Sequence, residues 1–335
     1  MHTVPLSLEL KNLGKSFSSF RAIDNVNLGV KQGEVFGLLG PNGAGKTTTM
    51  RIISCLLKPT EGDVLVNEKS VRDPVKRVEI SREIGLLTES PNIYERLTAE
   101  QNLVFFARAY GVPEQEIGKR VTKVLQDFDL DSRRMERVGT FSKGMKQKLA
   151  IARVLVHSPS ILLLDEPTAS LDAEAAKEIR SQISDTARTG GHTVLLSTHN
   201  LDDASRLCDR VAILSHGKIL ATGTEEEISS LMKNYSSNRR SNSVQITLLS
   251  SQTFSEDSLQ GLIKGVEHVS KDSDGKTIEL SFGSRYSESE IDLLTAKAID
   301  ALVKAGASIT SVVQRKPSLE DLYLEIVSRD ENSQK

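Results

Sequence analysis

Apolar and polar side chains alternate strictly in LSLEL, residues 6–10, and again in VNLGV, residues 26–30. Period-two alternation puts every second side chain on one face, so both segments are predicted to be half-buried antiparallel strands. EVFGLLG, residues 34–40, is almost continuously apolar and suits a strand covered on both faces. A glycine-rich turn and an amphipathic run, KTTTMRIISCLLKP, follow, and Pro59 closes that helix. From about residue 92 to 158 the spacing becomes helical. Thr98 and Gln101 stand at the offsets of a capping box ahead of NLVFFARAY. Ser142 opens a helix on which Met145, Leu149, Ala152 and Leu155 share a face, and Pro159 stops it. ILLLDEP and TVLLSTH then return as short apolar runs of the kind that form buried parallel strands. The pattern predicts an α/β core with a helical insertion.

Residues 226–243, which include NYSSNRRSNS, are poor in apolar side chains and are predicted to be a linker. Beyond them the pattern gives strand 244–250, helix 256–264, strands 265–271 and 276–283, helix 287–304 and strand 308–315. That βαββαβ order is the ferredoxin-like α+β arrangement. A terminal helix, PSLEDLYLEIV (317–327), follows with Ser318 as its N-cap. The expected division is a larger α/β domain over 1–225, with its helical part at about 92–158, the linker over 226–243, and a small module over 244–335.

Composition narrows the function classes. A chain of 335 residues with 38% hydrophobic and 26% charged side chains is of the soluble globular class. The net charge of -2 belongs to no polycation, so nucleic acid is not an expected partner. Residues 244–335 carry 10 basic and 15 acidic side chains and lack the aromatic-rich strand of RNA-binding βαββαβ modules. Cys55 and Cys208 lack metal-site spacing and are expected to be inert thiols. No cationic segment precedes an apolar run at the N-terminus, and no span of about 18 apolar residues occurs, so any membrane role is expected to be borrowed from another chain.

GPNGAGKT, Gly40 to Thr47, fits GxxxxGK[ST] in full and lies between an apolar strand and a helix, the context that gives the pattern its meaning. Gly43 and Gly45 let the loop wrap phosphates with backbone amides. Lys46 reaches the β and γ oxygens, and Thr47 offers its hydroxyl to Mg2+. ILLLDEPT ends an apolar strand in Asp165, placing a carboxylate for Mg2+ at the sheet's C-terminal edge. Glu166, beside it, is placed to orient or deprotonate an attacking water. In FSKGMKQKLAIARVL, Ser142 caps a helix, Gly144 lets another group approach, and Lys143, Lys146 and Lys148 add positive charge. Helix N-termini attract phosphate, so this is a second anion receptor in a chain with one phosphate loop.

Over about residues 5–225 the order and spacing of these motifs resemble the ATP-binding subunits of ABC transporters. The resemblance implies a P-loop NTPase of ABC type, with a mixed sheet core, an antiparallel β subdomain and a helical subdomain. FSKGM resembles the signature motif, STH ends in the switch histidine His199, ASLD matches the D-loop around Asp172, and Phe17 stands where the family stacks adenine. It assigns Glu166, His199 and Lys46 to catalysis and Thr47, Glu89 and Asp165 to Mg2+. Phe17, Gly40, Pro41, Asn42, Gly43, Ala44, Gly45, Lys46, Thr47, Thr48, Glu89, Ser142, Gly144 and Asp172 are assigned to ATP. It further implies ATP hydrolysis coupled to transport, through an ATP-sandwiched head-to-tail homodimer. That dimer docks on a separate transmembrane permease at the cytoplasmic face of the cell membrane.

LTESPNIYERLTAEQNL and PSLEDLYLEIV resemble the efflux branch, so export is expected; the alternative is a soluble ABC-type ATPase in cofactor assembly. The 244–335 module is expected to be regulatory or dimer-supporting. Two positions depart from the family pattern. Lys143 replaces the first signature glycine, and Glu89 occupies the Q-loop place of glutamine, where a carboxylate favours metal and repels γ-phosphate.

Overall fold

The computed structural model describes residues 4–90, 92–233, 242–250, 265–266, 268–272, 274–282, 286–315 and 318–333. They fall into two units, the first over Met1–Thr224 with Val327–Lys335 and the second over Glu225–Ile326.

In the first unit, β1 (Leu6–Phe17) and β2 (Phe20–Lys31) pair antiparallel and are longer than the alternating pentamers predicted for them. Irregularities between Leu6 and Leu8, Leu10 and Leu13, and Leu13 and Ser16 break the period, which is why only the clean stretches were legible. β3 (Val35–Leu39) leads through a loop into α1 (Lys46–Ile53). β4 (Glu61–Val66), β5 (Lys69–Ser70), α2 (Arg77–Glu83) and β6 (Ile84–Leu87) follow. The helical region contains α3 (Ala99–Ala109), α4 (Glu114–Asp127) and α5 (Lys143–Leu155). Thr98 and Gln101 form the capping box, and the Ser142 hydroxyl accepts from the Met145 amide at the head of α5. The core resumes with β7 (Ile161–Asp165), α6 (Ala173–Gly190), β8 (Thr193–Thr198), α7 (Leu201–Leu207), β9 (Arg210–Ser215) and β10 (Lys218–Gly223).

Two sheets result. One is antiparallel in the order β2-β1-β4-β5; the other is mixed, β10-β9-β3-β8-β7-β6, with only the β10–β9 pair antiparallel. Every residue of β3, β7 and β8 is buried. Alternate side chains serve different cores: Val35, Leu162, Leu164, Val194 and Leu196 pack with the helical region, whereas Phe36, Leu38, Ile161, Leu163 and Leu195 pack towards α1 and the antiparallel sheet. An apolar run without alternation is what a strand buried on both faces requires. The C-terminal ends of β3, β7 and β8 therefore open on one edge, where the loop, Asp165 and His199 follow.

The second unit begins with α8 (Glu225–Lys233), which occupies the first part of the stretch predicted as linker. Three acidic residues, Glu225, Glu226 and Glu227, sit in its first turn, where they complement the helix dipole, and Ile228 is buried. β11 (Asn242–Leu248), β12 (His268–Lys271), β13 (Thr277–Phe282) and β14 (Ile309–Arg315) form an antiparallel sheet in the order β12-β13-β11-β14. This is the strand order of the ferredoxin-like arrangement. Gly265 has a positive φ of 107, and β12 runs over His268–Lys271 rather than from 265. The predicted helix 256–264 lies outside the described residues. Helix Glu288–Lys304 has its own capping box at Ser287, and its Ile291, Ala298 and Leu302 pack on Val244, Ile246, Leu280 and Phe282. Ser318 and Asp321 exchange capping hydrogen bonds at the head of the terminal helix, Leu319–Ser333.

Candidate active site

The turn from β3 to α1 is shaped by what its glycines avoid. A Cβ on Gly40 would lie 2.2 Å from the Leu214 carbonyl oxygen. Gly45 adopts φ 111 immediately before α1, and a Cβ there would lie 2.7 Å from the Ala22 carbonyl. No side chain caps α1, so its first amides remain free to receive an anion. Lys46 is 7% exposed, and its Nζ donates to the carbonyls of Gly40 at 2.6 Å and Pro41 at 3.1 Å. Burial lowers its pKa, while Glu166 and Asp165 pull the other way. The ammonium lies 4.0 Å from Glu166 Oε1.

The ends of β7 and β8 supply the opposing acids. Asp165 Oδ2 accepts from Thr47 Oγ1 at 2.8 Å, and Oδ1 accepts from Ser197 Oγ at 2.8 Å. Both carboxylate oxygens are therefore aimed by neighbours. Glu166 leaves the strand at φ 52, a left-handed conformation that a non-glycine residue holds only under constraint. Its amide donates to the Ser197 carbonyl at 2.9 Å. Its Oε1 accepts from the His199 amide at 3.1 Å and lies 2.8 Å from His199 Nδ1, and Oε2 accepts from Thr198 at 3.4 Å.

These groups line one cleft of about 330 Å³. Of the residues predicted from sequence, it brings together Phe17, the loop from Pro41 to Thr48, Glu89, Asp165, Glu166 and His199. Gly40 contributes its carbonyl to Lys46 from behind the loop. Ser142, Gly144 and Asp172 do not line this cleft. Ser142 caps α5, and Asp172 caps α6 by accepting from the Ala175 amide at 2.8 Å. Gly144 faces α6, where a Cβ would lie 3.1 Å from that of Ala175. The two helix starts thus share one patch. Lys146 pairs with Glu95 and Lys148 with Glu178, contacts of small energetic weight at a surface, and Lys143 makes no ion pair among the described residues.

Several contributors escaped the sequence reading. Phe20 is 62% exposed, pairs with Phe17 across a two-residue turn and lines the cleft with it. The repeated aromatic in FSSF was its signal. Ser197 and Thr198, in the same STH that gave His199, hold the two acids. Gln147 on α5 donates to the Pro167 carbonyl at 2.6 Å, tying that helix to the turn after Glu166. Asp203, almost wholly buried, accepts from Thr168 and from Arg180 at 2.6 Å, and no motif announced it.

Known proteins resemble this chain in sequence and in fold. The profile of the ABC transporter family matches residues 23–169. The bacitracin transport ATP-binding protein BcrA of Bacillus licheniformis is 32% identical over 96% of this chain and 97% of its own length. The chain belongs to the ABC transporter family. Methionine import ATP-binding protein MetN 1 of Bacillus cereus is 39% identical over 66% of this chain, and this chain spans 66% of that relative. A solved ATP-binding subunit of an ABC transporter superposes with TM-score 0.61 and 34% identity, over 68% of this chain and 93% of that one. The dimeric post-hydrolysis state of the cassette MJ0796, bound to ADP and Pi, superposes with TM-score 0.59 and 31% identity over 65% and 98%. As an ABC cassette the chain binds ATP and is an ATPase, and the acids at the end of β7 line the same cleft as the loop from Pro41 to Thr48. Among the described residues no helix is long and apolar enough to cross a membrane.

Proposed function

We propose that two copies of this chain close head to tail on two ATP molecules and drive export through a separate transmembrane permease, from the cytoplasmic face of the membrane. One observation carries the dimer. The α5 N-terminus and Gly144 lie outside the cleft that holds the chain's only phosphate loop, so a phosphate for them comes with a second copy. Export is supported by where the likeness runs. It extends over nearly the whole length of the bacitracin transport relative but over two thirds of the methionine importer.

The cleft's own groups account for the reaction class. Lys46 offers a partly desolvated cation to the β and γ oxygens. Glu166 receives a proton from the water that attacks the γ-phosphorus, while the bond to the bridging oxygen breaks and ADP leaves with phosphate. His199, on the same carboxylate oxygen, keeps Glu166 turned towards the loop. Thr47 Oγ1 and Asp165 Oδ2 fit Mg2+: their 2.8 Å separation is close to the edge of about 2.9 Å that an octahedron with bonds of about 2.0–2.1 Å requires. Mg2+ there supplies charge neutralisation on the phosphates.

The test is Glu166→Gln with Mg·ATP on gel filtration. A shift from monomer to dimer that reverses on removing nucleotide is expected. A persistent monomer at high protein concentration removes the sandwich while leaving ATP binding intact.

A further inference from the structure

β6 is the edge strand of the mixed sheet, paired in parallel with β7 alone. It is also gripped by the end of α5 and the turn after it. His157 Nε2 lies 3.1 Å from the Ile84 carbonyl oxygen, and Arg153 Nη2 donates to the Leu86 carbonyl at 3.4 Å. Between them Gly85 has no room for a side chain, since a Cβ would lie 2.5 Å from the Val154 carbonyl. Three successive residues of the strand therefore meet the last turn of α5 and the turn that follows it. Two positions beyond Leu87 comes Glu89, at the nucleotide cleft.

Arg153 also reaches the chain on the far side of Glu89. Its guanidinium lies 4.8 Å from the centre of the Phe106 ring, and Phe106 stacks on Tyr94 at 5.9 Å. His157 stacks face to face on Tyr110 at 3.9 Å. Arg153 is 8% exposed and makes no ion pair among the described residues, and its Nε has no partner. A buried cation without a carboxylate costs stability that an unbranched apolar side chain of similar length would not. Packing alone thus does not account for an arginine here.

We propose that Arg153 and His157 are positioning residues. They fix both flanks of the Glu89 segment to α5, so the helix that starts at Ser142 sets where the Glu89 carboxylate stands against the nucleotide. The contacts join the signature helix to the Q-loop position within one chain. Movement of α5 is then felt at Glu89 without any direct contact between α5 and ATP in that cleft. The proposal rests on the reading that the cleft hydrolyses ATP with Glu89 at its margin.

A double-mutant cycle on the full chain tests it, with turnover at saturating Mg·ATP and KM measured for Glu89→Gln, Arg153→Met and the pair. If Arg153 acts through Glu89, Glu89→Gln changes kcat several-fold in the parent and less than twofold in the Arg153→Met background. Arg153→Lys, which keeps a donor and a charge, restores the dependence. A merely structural arginine gives the same fold-change in both backgrounds, and that result overturns the proposal, as does a silent Glu89→Gln in the parent. Should Arg153→Met be insoluble, His157→Leu provides the same cycle at the second contact. Absence of turnover in the parent protein would instead strike the hydrolysis reading.

Discussion

His199 Nδ1 lies 2.8 Å from Glu166 Oε1, the same oxygen that accepts the His199 backbone amide, so one residue holds the acid from both its side chain and its main chain. The Glu166 side chain is thereby fixed, and its left-handed backbone is tied by the amide's hydrogen bond to the Ser197 carbonyl. A proton acceptor held in this way is worth about 10²- to 10⁴-fold in rate. Glu166→Gln should lower phosphate release by at least about 100-fold while ATP affinity stays within a few-fold of the parent. His199→Ala should lower turnover less, since Thr198 and the residue 199 amide still contact the acid. Comparable losses in the two variants would show that His199 contributes more than orientation.

Lys46 donates to the Gly40 and Pro41 carbonyls, and burial works against its charge. Phosphate oxygens would replace weaker, neutral acceptors, so the ammonium gains most when nucleotide binds. Lys46→Met keeps much of the volume and removes the charge. A charge-assisted hydrogen bond contributes roughly 1.5–3 kcal/mol, so ATP affinity should fall by about 10- to 100-fold, with the melting temperature little changed in the absence of nucleotide. Titration with a fluorescent ATP analogue reads this, and unchanged affinity would remove Lys46 from phosphate recognition.

The parts legible in the sequence were those where local chemistry and fold demand the same residues. Gly40 to Thr47, the acids at the end of β7 and the Ser142 and Thr98 caps each need particular side chains at fixed offsets. β6 was missed because four residues with a central glycine, IGLL, have no period to detect, and Gly85 exists for the close approach of α5. β4, EGDVLV, is half polar because it lies on β1 and carries turn residues at its start. Asp203 and Arg153 were invisible for a different reason. Each is a charged residue in an amphipathic helical run, a pattern that promises a solvated face, and only tertiary packing buries them.

His157 sets a pH limit on stability. Burial lowers its pKa from the ordinary 6.5 to about 4, so the unfolded chain takes up a proton at this position that the folded chain refuses. The stabilisation is complete above about pH 6.5 and is lost as pH falls towards about 4, an effect of about 3 kcal/mol. His157→Gln retains a donor for the Ile84 carbonyl and does not titrate. Urea midpoints at pH 7 and pH 4.5 should fall further apart in the parent than in this variant. Equal separations would mean that the ring is not buried as a neutral base.

The head-to-tail dimer makes a prediction that no single-chain site can meet. In the proposed dimer each composite site takes its phosphate loop from one copy and its signature helix from the other. Ser142→Asp preserves the N-cap, because aspartate caps as well as serine, and places a carboxylate against the incoming phosphate. Lys46→Ala removes the phosphate ligand in the other half. Either variant alone spoils both sites of its homodimer, and each should hydrolyse ATP only at background rate. In a mixed pair, one site combines the two defects and the other combines two intact halves. Random pairing of equal amounts makes half the dimers mixed, so turnover should reach about a quarter of the parent rate per total protein and fall away on either side of the equal ratio. A site completed within one chain would give no rescue at any ratio. Phosphate release measured across the mixing series therefore decides between a nucleotide shared by two copies and one held by a single cleft.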